Sequence, residues 1–329
     1  MRIVTQILIF IVIIATALPI IDTHRWWIRI FDFPRAQITF FTFIALGLTI
    51  YYYWKEKIRL LGISVFLLAA IIYQSRMMIK YIPLYPTPAP EAVAPVLENT
   101  VRILMYNVKM DNDRYNDFIL LVAEEDPDII LLTEPNQKWA DEVEVLKTTY
   151  KHHLIYPLEN TYGMILYSKL ELEETEINFL VKDDIPSMFA KVRLPSGESF
   201  KLHCLHPEPP KPGTDTYERD TEILLVGQRI IEEEGPVIIA GDLNDVAWSR
   251  TSERFQQKTN MLDPREGRGF FNTYNVFVPF FRYPLDHFFY TKDFLLVSYD
   301  RLRPIGSDHF PLMMTLELVP GKKVVQDNN

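Results

Sequence analysis

Three charge-free apolar runs crowd the first eighty residues and constrain this chain more than any other feature. They are Ile3 to Ile21 and Ala36 to Trp54, each 19 residues, and Leu60 to Ser75, 16 residues. A spanning helix needs roughly 17 to 25 apolar residues. The third run reaches that length only if Arg76 snorkels and Met77 to Ile79 join it. One such run would read equally well as a buried core helix. Three in one block read as a membrane anchor over residues 1–80 with three transmembrane helices. Between the first two runs lies His24-Arg25-Trp26-Trp27-Ile28-Arg29-Ile30-Phe31-Asp32-Phe33-Pro34-Arg35. Interleaved aromatic and cationic side chains suit the headgroup region, so this stretch is expected at the membrane interface rather than in a binding site.

Sidedness follows from the flanking cations. With the N-terminus inside, the inner side carries Arg2, Lys55, Lys57 and Arg59, and the outer side Arg25, Arg29, Arg35, Arg76 and Lys80, nearly a tie. The compact Lys55–Arg59 turn favours the cytoplasm and places the rest of the chain outside. Ala15-Thr16-Ala17 weakly resembles a signal-peptidase site, and cleavage there would leave the same orientation.

After Lys80 the sequence becomes proline-rich, with prolines at 83, 86, 88, 90 and 95. Such a stretch cannot continue a helix and is expected to be a semi-rigid spacer over residues 81–98. A domain over 99–320 and a polar tail over 321–329 follow. The overall hydrophobic content of 48% therefore averages an anchor with an ordinary globular core. That content excludes a disordered or collagen-like chain. The single cysteine, Cys204, excludes an internal disulfide and a cysteine zinc site.

From Val101 the pattern is mixed α/β. Strands are expected at 101–108, 129–132, 164–167, 188–194, 200–205, 237–240, 288–290, 294–297 and 311–318, with helices over 113–125 and 215–234. Many strands and few helices, not strictly alternating, indicate sheets packed on each other and flanked by helices.

Polar residues fall at the strand ends. Asn107 and Glu134 end the first two strands, His206 ends another, and Gly241-Asp242-Leu243-Asn244 ends the buried Val-Ile-Ile-Ala strand. Asp286 opens an aromatic strand, and Gly306-Ser307-Asp308-His309 precedes the last. Any one of these reads as a turn or cap residue. Six in one domain point to strand ends converging on a pocket. Its carboxylates would repel one another unless a hard divalent cation sat among them, and oxygen ligands favour Mg²⁺ or Mn²⁺ over zinc.

The order and spacing of these motifs resemble the endonuclease/exonuclease/phosphatase superfamily, which includes DNase I-like nucleases and inositol-polyphosphate phosphatases. The likeness runs from about Val101 to Leu318. It is closest to a bacterial branch with N-terminal membrane helices, through His206-Pro207-Glu208-Pro209, Gly241-Asp242-Leu243-Asn244 with Trp248-Ser249, and Gly306-Ser307-Asp308-His309-Phe310-Pro311-Leu312. The resemblance implies a four-layer α/β/β/α sandwich with the site at one edge. It implies that Glu134 is the main metal ligand, with Asn107 beside it and Asp308 contributing directly or through water. Asp242 would orient or deprotonate the attacking water, and Asn244 would hydrogen-bond phosphoryl oxygens. His309, paired with Asp286, would stabilise the pentacovalent phosphorus or assist proton transfer, and His206 would protonate the leaving oxygen.

Other polar residues are expected elsewhere. His203 belongs to a solvent face by alternation with buried Cys204, His287 points away from Asp286, and His152 and His153 lie on the surface. Asp245 either touches the site or caps the following turn. Arg268 either helps bind a phosphate-bearing substrate or sits in a surface loop.

Charge bears on the substrate. Residues 1–97 hold nine Lys and Arg against four acids, a formal +5, and the remainder holds 25 against 39, a formal −14. Nucleic-acid binding draws on basic patches, so this balance disfavours nucleic acid as a partner. Three functions stand: a membrane-tethered, metal-dependent phosphoesterase acting on a lipid or envelope phosphate, with the bilayer as partner; a surface nuclease acting on DNA or RNA; and a non-catalytic envelope module. No protein partner is readable. The expected location is the bacterial cytoplasmic membrane, with the catalytic domain periplasmic or extracellular.

Overall fold

The computed structural model describes residues 2–56 and 61–321. Lys57 and Arg59, two of the cations that argue for sidedness, and the tail beyond 321 lie outside the described residues. The N-terminal region comprises α1 (Arg2–Ala17), a short α2 (Trp26–Arg29), α3 (Arg35–Glu56) and α4 (Leu61–Met78). α1, α3 and α4 pack around Val12, Ala45 and Leu67. Among the described residues, two segments are long and apolar enough to cross a membrane, Ile3–Ile20 and Gly62–Tyr81. The expected span at Ala36–Trp54 falls in α3, which qualifies only together with Trp26–Asp32, bent from it by 74°. The run that looked short in sequence is therefore long enough. The aromatic- and threonine-rich middle run is the less apolar one.

The remaining domain begins with β1 (Thr100–Asn107), α5 (Tyr115–Glu125), β2 (Ile129–Thr133), α6 (Gln137–Glu142), β3 (His152–Tyr156) and β4 (Met164–Ser168). Next come β5 (Glu171–Asn178), β6 (Ser187–Arg193), β7 (Ser199–Leu205), α7 (Tyr217–Glu232) and β8 (Val237–Asp242). The chain closes with α8 (Arg250–Thr259), β9 (Asp286–Tyr290), β10 (Phe294–Arg301) and β11 (Leu312–Leu318). One sheet has the order β10-β11-β1-β2-β4-β3, the other β5-β6-β7-β8-β9. Ile103, Met105, Leu166, Leu202, Cys204, Ile238, Phe288 and Met314 meet between the sheets. Phe118, Leu121 and Trp139 cover the outer face of the first sheet. Ile223, Val226, Ile230 and Phe255 cover that of the second. The result is the expected four-layer α/β/β/α sandwich.

Local chemistry sets the helix boundaries. Asn136 caps α6 by accepting a hydrogen bond from Trp139 N at 3.0 Å, and Ser249 Oγ caps α8 through Ser252 N at 3.0 Å. α5 starts later than expected, at Tyr115: Asn112 Oδ1 accepts from Arg114 N at 3.1 Å in the turn before the helix, while its Nδ2 donates to Val108 O and the Tyr106 hydroxyl.

Two segments outside the expected domain, the spacer and the stretch expected at the membrane interface, are docked onto it. The proline-rich stretch is a strap rather than a free spacer. Tyr81 is buried with its hydroxyl on Ala247 O at 2.8 Å. Pro90 and Ala92 exchange hydrogen bonds with Leu296 on edge strand β10, both at 2.9 Å. The interhelix segment is likewise clamped. His24 pairs with Asp220 at 2.9 Å, Arg25 with Asp215 at 2.9 Å, and Asp22 with Arg250 and Arg254. The Trp248 indole donates to Asp32 O at 2.7 Å.

Candidate active site

Topology explains why distant residues meet. Each sheet has one parallel pair at its centre, β1–β2 and β7–β8, joined by a helical crossover through α5 or α7. The C-terminal ends of both pairs lie at one edge of the sandwich, where α/β sheets bind ligands. β9 runs antiparallel to β8 with Asp286 opposite Asp242. β11 runs antiparallel to β1, which brings Ser307–His309 to the same edge. Gly241 is required at the end of β8, since a Cβ there would collide with the Leu205 carbonyl of β7. Glu134 and Asn244 both hold left-handed backbone, at φ 64° and 50°. For non-glycine residues that is a strained conformation of the kind that clusters at functional sites.

Asn107 joins the two sheets at the site. Its Nδ2 donates to Glu134 Oε1 and to Asp242 Oδ2, both at 2.9 Å. Asp242 Oδ1 accepts from Asn244 N at 2.9 Å. His309 Nδ1 donates to Asp286 Oδ2 at 2.7 Å, while its Nε2 lies 3.7 Å from Asp242 Oδ2. His206 Nε2 is 3.9 Å from the same oxygen. Asp308 lines the open side with Glu134, Asn244 and His309 around a cleft of about 440 Å³. All eight residues expected from sequence at the metal and catalytic positions gather within this edge.

Burial and charge then set protonation. Burial opposes a charge on His309, but Asp286 and Asp242 outweigh it and raise the imidazole to about 10. Burial and the nearby Asp286 push Asp242 up to about 6, against the pull of both histidines. Asp286 goes the other way, because His309 overcomes its burial and holds it below the usual carboxylate range. Burial lowers His206. Burial raises Glu134 against its hydrogen bond from Asn107. The cluster thus pairs a base poised near neutrality with a persistent imidazolium, the separation that acid–base catalysis needs.

A divalent cation fits this donor set. Asp242, Asp286 and His309 bring ligand-type atoms within 4.8 Å of one another. In that trio, however, His309 already compensates the two carboxylates. Glu134, half-buried at the cleft, takes the Asn107 amide on Oε1 and feels both the attraction of His309 and the repulsion of Asp308. Carboxylate and amide oxygens suit a hard cation.

Arg268 does not join the cluster. Its guanidinium is committed to the strap, with Nη2 at 2.8 Å from both Glu91 Oε1 and Ala89 O. His203 is not on a solvent face. Alternation does put it opposite Cys204, but α7 covers that face, and His203 is buried with Nε2 3.0 Å from Glu233. Asp245 is the cap, bonded to Ser249 Oγ and Val246 N and 3.3 Å from Arg219. His287 points away from Asp286 as expected. It donates to Asp245 O and accepts from Arg265, both within 2.9 Å, and burial and Arg265 hold it neutral at about 3. Sequence reading missed Lys109 and Tyr274, which line the cleft, and Arg219, which holds Asn244 O at 2.8 Å. Lys109, two residues beyond Asn107 in the same strand-end loop, was the one such signal in view.

A sequence model of the endonuclease/exonuclease/phosphatase family matches residues 106–309. No curated protein matches the chain in sequence. Among solved structures, an endonuclease/exonuclease/phosphatase family protein from Bacteroides thetaiotaomicron is 18% identical, with a TM-score of 0.57, covering 68% of this chain and 99% of that one. The mannosyl-6-phosphatase Bt3783 of the same species is 18% identical, with a TM-score of 0.53 over 66% of this chain and 99% of that one. Danio rerio TDP2 complexed with a single-strand DNA product gives the same 18%, 0.53, 66% and 99%. At these identities the likeness shows the fold. Together with the match over the strand-end motifs, it makes the chain a member of the endonuclease/exonuclease/phosphatase family, a hydrolase acting on phosphoester bonds.

Proposed function

We propose that this chain is a membrane-anchored, divalent-metal-dependent phosphoesterase acting on a lipid or envelope phosphate ester. The anchor comprises three spans within residues 1–80, and the catalytic domain lies outside the bacterial cytoplasmic membrane. The observation that carries this reading is the position of the site. Beside the Asp242–His309–Asp286 cluster, Ile30, Phe33 and Pro34 of the segment between α1 and α3 line the same cleft. The C-terminal ends of α1 and α4 and the N-terminal end of α3 all lead to this side, which suits one bundle crossing a bilayer with the domain at its outer end.

Glu134, Asn107 and Asp308 would hold Mg²⁺ or Mn²⁺, which when bound neutralises charge building on a phosphoryl oxygen. Asp242, poised near 6, accepts the proton of the attacking water. The second Asn244 Nδ2 hydrogen, beyond the one on Pro207 O at 3.0 Å, donates to a phosphoryl oxygen. His309, kept cationic by Asp286, stabilises the charged phosphorus centre and gives its Nε2 proton to the leaving oxygen. His206, held neutral by burial, is better suited to orient the water than to protonate the leaving group.

The full chain in detergent with Mg²⁺ is expected to hydrolyse bis-p-nitrophenyl phosphate and dioleoyl phosphatidate. EDTA should abolish both activities, and Asp242→Asn should lower them by about 10²- to 10⁴-fold. Rapid cleavage of plasmid DNA or RNA, abolished by the same substitution, would install the nuclease in place of the lipid reading. Metal binding without any turnover would make this a binding module.

A further inference from the structure

The catalytic domain carries a run of exposed large apolar side chains, and it faces the anchor. Phe277, Phe280 and Phe281 are 61%, 51% and 48% exposed, on a loop whose tip is one turn of 3-10 helix over Pro279–Phe281. The loop is held in shape. The Arg282 guanidinium donates to Val276 O at 2.9 Å, Asn275 Oδ1 accepts from Phe277 N at 2.8 Å, and Val276 N donates to Asp308 O at 2.8 Å. The last bond ties the loop to a residue of the cleft. At its tip the Gln37 amide donates to Phe280 O, and the Phe41 ring lies edge-on to Phe280 at 6.3 Å. Both partners belong to the first turns of α3, which itself exposes Phe40, Phe43 and Ile44. One apolar surface therefore runs from α3 across the loop to Phe281 at the cleft mouth. The facing wall is Ile30, Phe33 and Pro34, with the Phe33 ring edge-on to Tyr283 at 5.7 Å.

Contiguous exposed apolar surface marks a docking site, and its continuity with α3 indicates that hydrocarbon covers this one. We infer that the Phe277–Phe281 loop sits in the bilayer interface and, with Ile30, Phe33 and Pro34, forms a mouth that takes the hydrocarbon chain of a lipid phosphate ester while its phosphate reaches Asn244 and His309. The inference rests on the membrane-anchored phosphoesterase reading and adds the route of entry. The substrate is drawn sideways from the lipid, and each methylene buried in the mouth strengthens binding about fourfold.

Two readouts on the full chain in phosphatidylcholine nanodiscs test it. Phe280→Cys carrying a bimane label should be quenched by doxyl-labelled lipid. A label at Glu198→Cys, on the β6–β7 turn at the opposite sheet edge, should not be, and Cys204 is buried and takes no label. In the second, Phe280→Ser with Phe281→Ser should lower kcat/KM on dioleoyl phosphatidate at least tenfold more than on bis-p-nitrophenyl phosphate. An unquenched label, or equal losses on the two substrates, overturns the mouth. Cleavage of the soluble ester alone together with an unquenched label refutes the mouth and leaves the phosphoesterase standing. A quenched label without turnover of either ester refutes the phosphoesterase and upholds the interfacial loop.

Discussion

Two buried charged clusters sit close together in this molecule, and they are built on opposite plans. At the anchor junction every acid has a cation. Asp32 lies 2.8 Å from Arg29 and 2.5 Å from Arg35, Arg35 donates to Gln74 at 2.9 Å, and Asp220 is 2.7 Å from Arg219. Burial works against the Asp220 charge, but Arg219 and Arg29 more than offset it and hold the carboxyl at about 2. At the strand-end cluster, four acids, Glu134, Asp242, Asp286 and Asp308, share His309 as their buried cation and Lys109 at the cleft, with His206 held neutral. A balanced cluster fixes geometry. An unbalanced one leaves protons poised to move and oxygens short of positive charge. Burial and charge density alone do not distinguish a clamp from a reactive site; the balance of charge does.

The sharpest way to break that contrast is Asp32→Ala. It strands Arg29 and Arg35 in a buried junction, and thermal unfolding in detergent should show a loss of about 3–5 kcal/mol. Asp286→Asn attacks the other cluster. Hydrolysis of bis-p-nitrophenyl phosphate should fall on the order of a hundredfold while the unfolding temperature barely moves, since a repelling carboxylate leaves with the imidazole's partner. Its pH–rate profile should lose activity at lower pH than the wild type, because His309 no longer has the charge that keeps it protonated.

Glu222 calibrates both cases as a buried acid with no cation partner among the described residues, its Oε1 accepting from Ser187 Oγ at 2.8 Å. Burial raises it from 4.5 to about 7. A raised acid costs nothing below its unfolded value, and the cost grows as pH climbs from 4.5 to 7. Glu222→Gln should therefore match the wild type at pH 4 and be more stable by about 1–3 kcal/mol at pH 8, read by denaturant unfolding. The smallest effect belongs to Arg268→Ala. Its partner Glu91 is largely exposed, so stability should drop by about 1 kcal/mol or less. Turnover of the soluble ester should not change; a large loss would return Arg268 to the substrate site.

Much of this was legible in sequence where the signal is local. The Val237–Ala240 run is a central strand because four consecutive apolar residues can be buried on both faces. β5 escaped notice because it is an edge strand written Glu-Leu-Glu-Glu-Thr-Glu-Ile-Asn, mostly half-buried or exposed. α8 escaped because Phe255 is the one large apolar residue in an otherwise polar ten-residue helix. The site residues were readable because each stands at the end of a strand, and the topology of two parallel pairs does the rest. Contacts between segments about two hundred residues apart were not readable. Arg25 with Asp215, Asp22 with Arg250, and Arg268 with Glu91 have no local trace. His203 misled because alternation names a face without saying what covers it.

The strap along β10 has a consequence for self-association. An uncovered outer strand is a template on which another chain can add its own, and proteins guard such strands with proline, charge or an overlying segment. Here residues 90–92 occupy the hydrogen-bonding positions of Leu296, and the neighbouring prolines offer no amide to extend the ladder further. A chain trimmed at residue 98 would keep every catalytic side chain and lose its guard. Such a fragment is expected to pair edge to edge and precipitate, and a short peptide matching residues 85–96 should keep it monomeric.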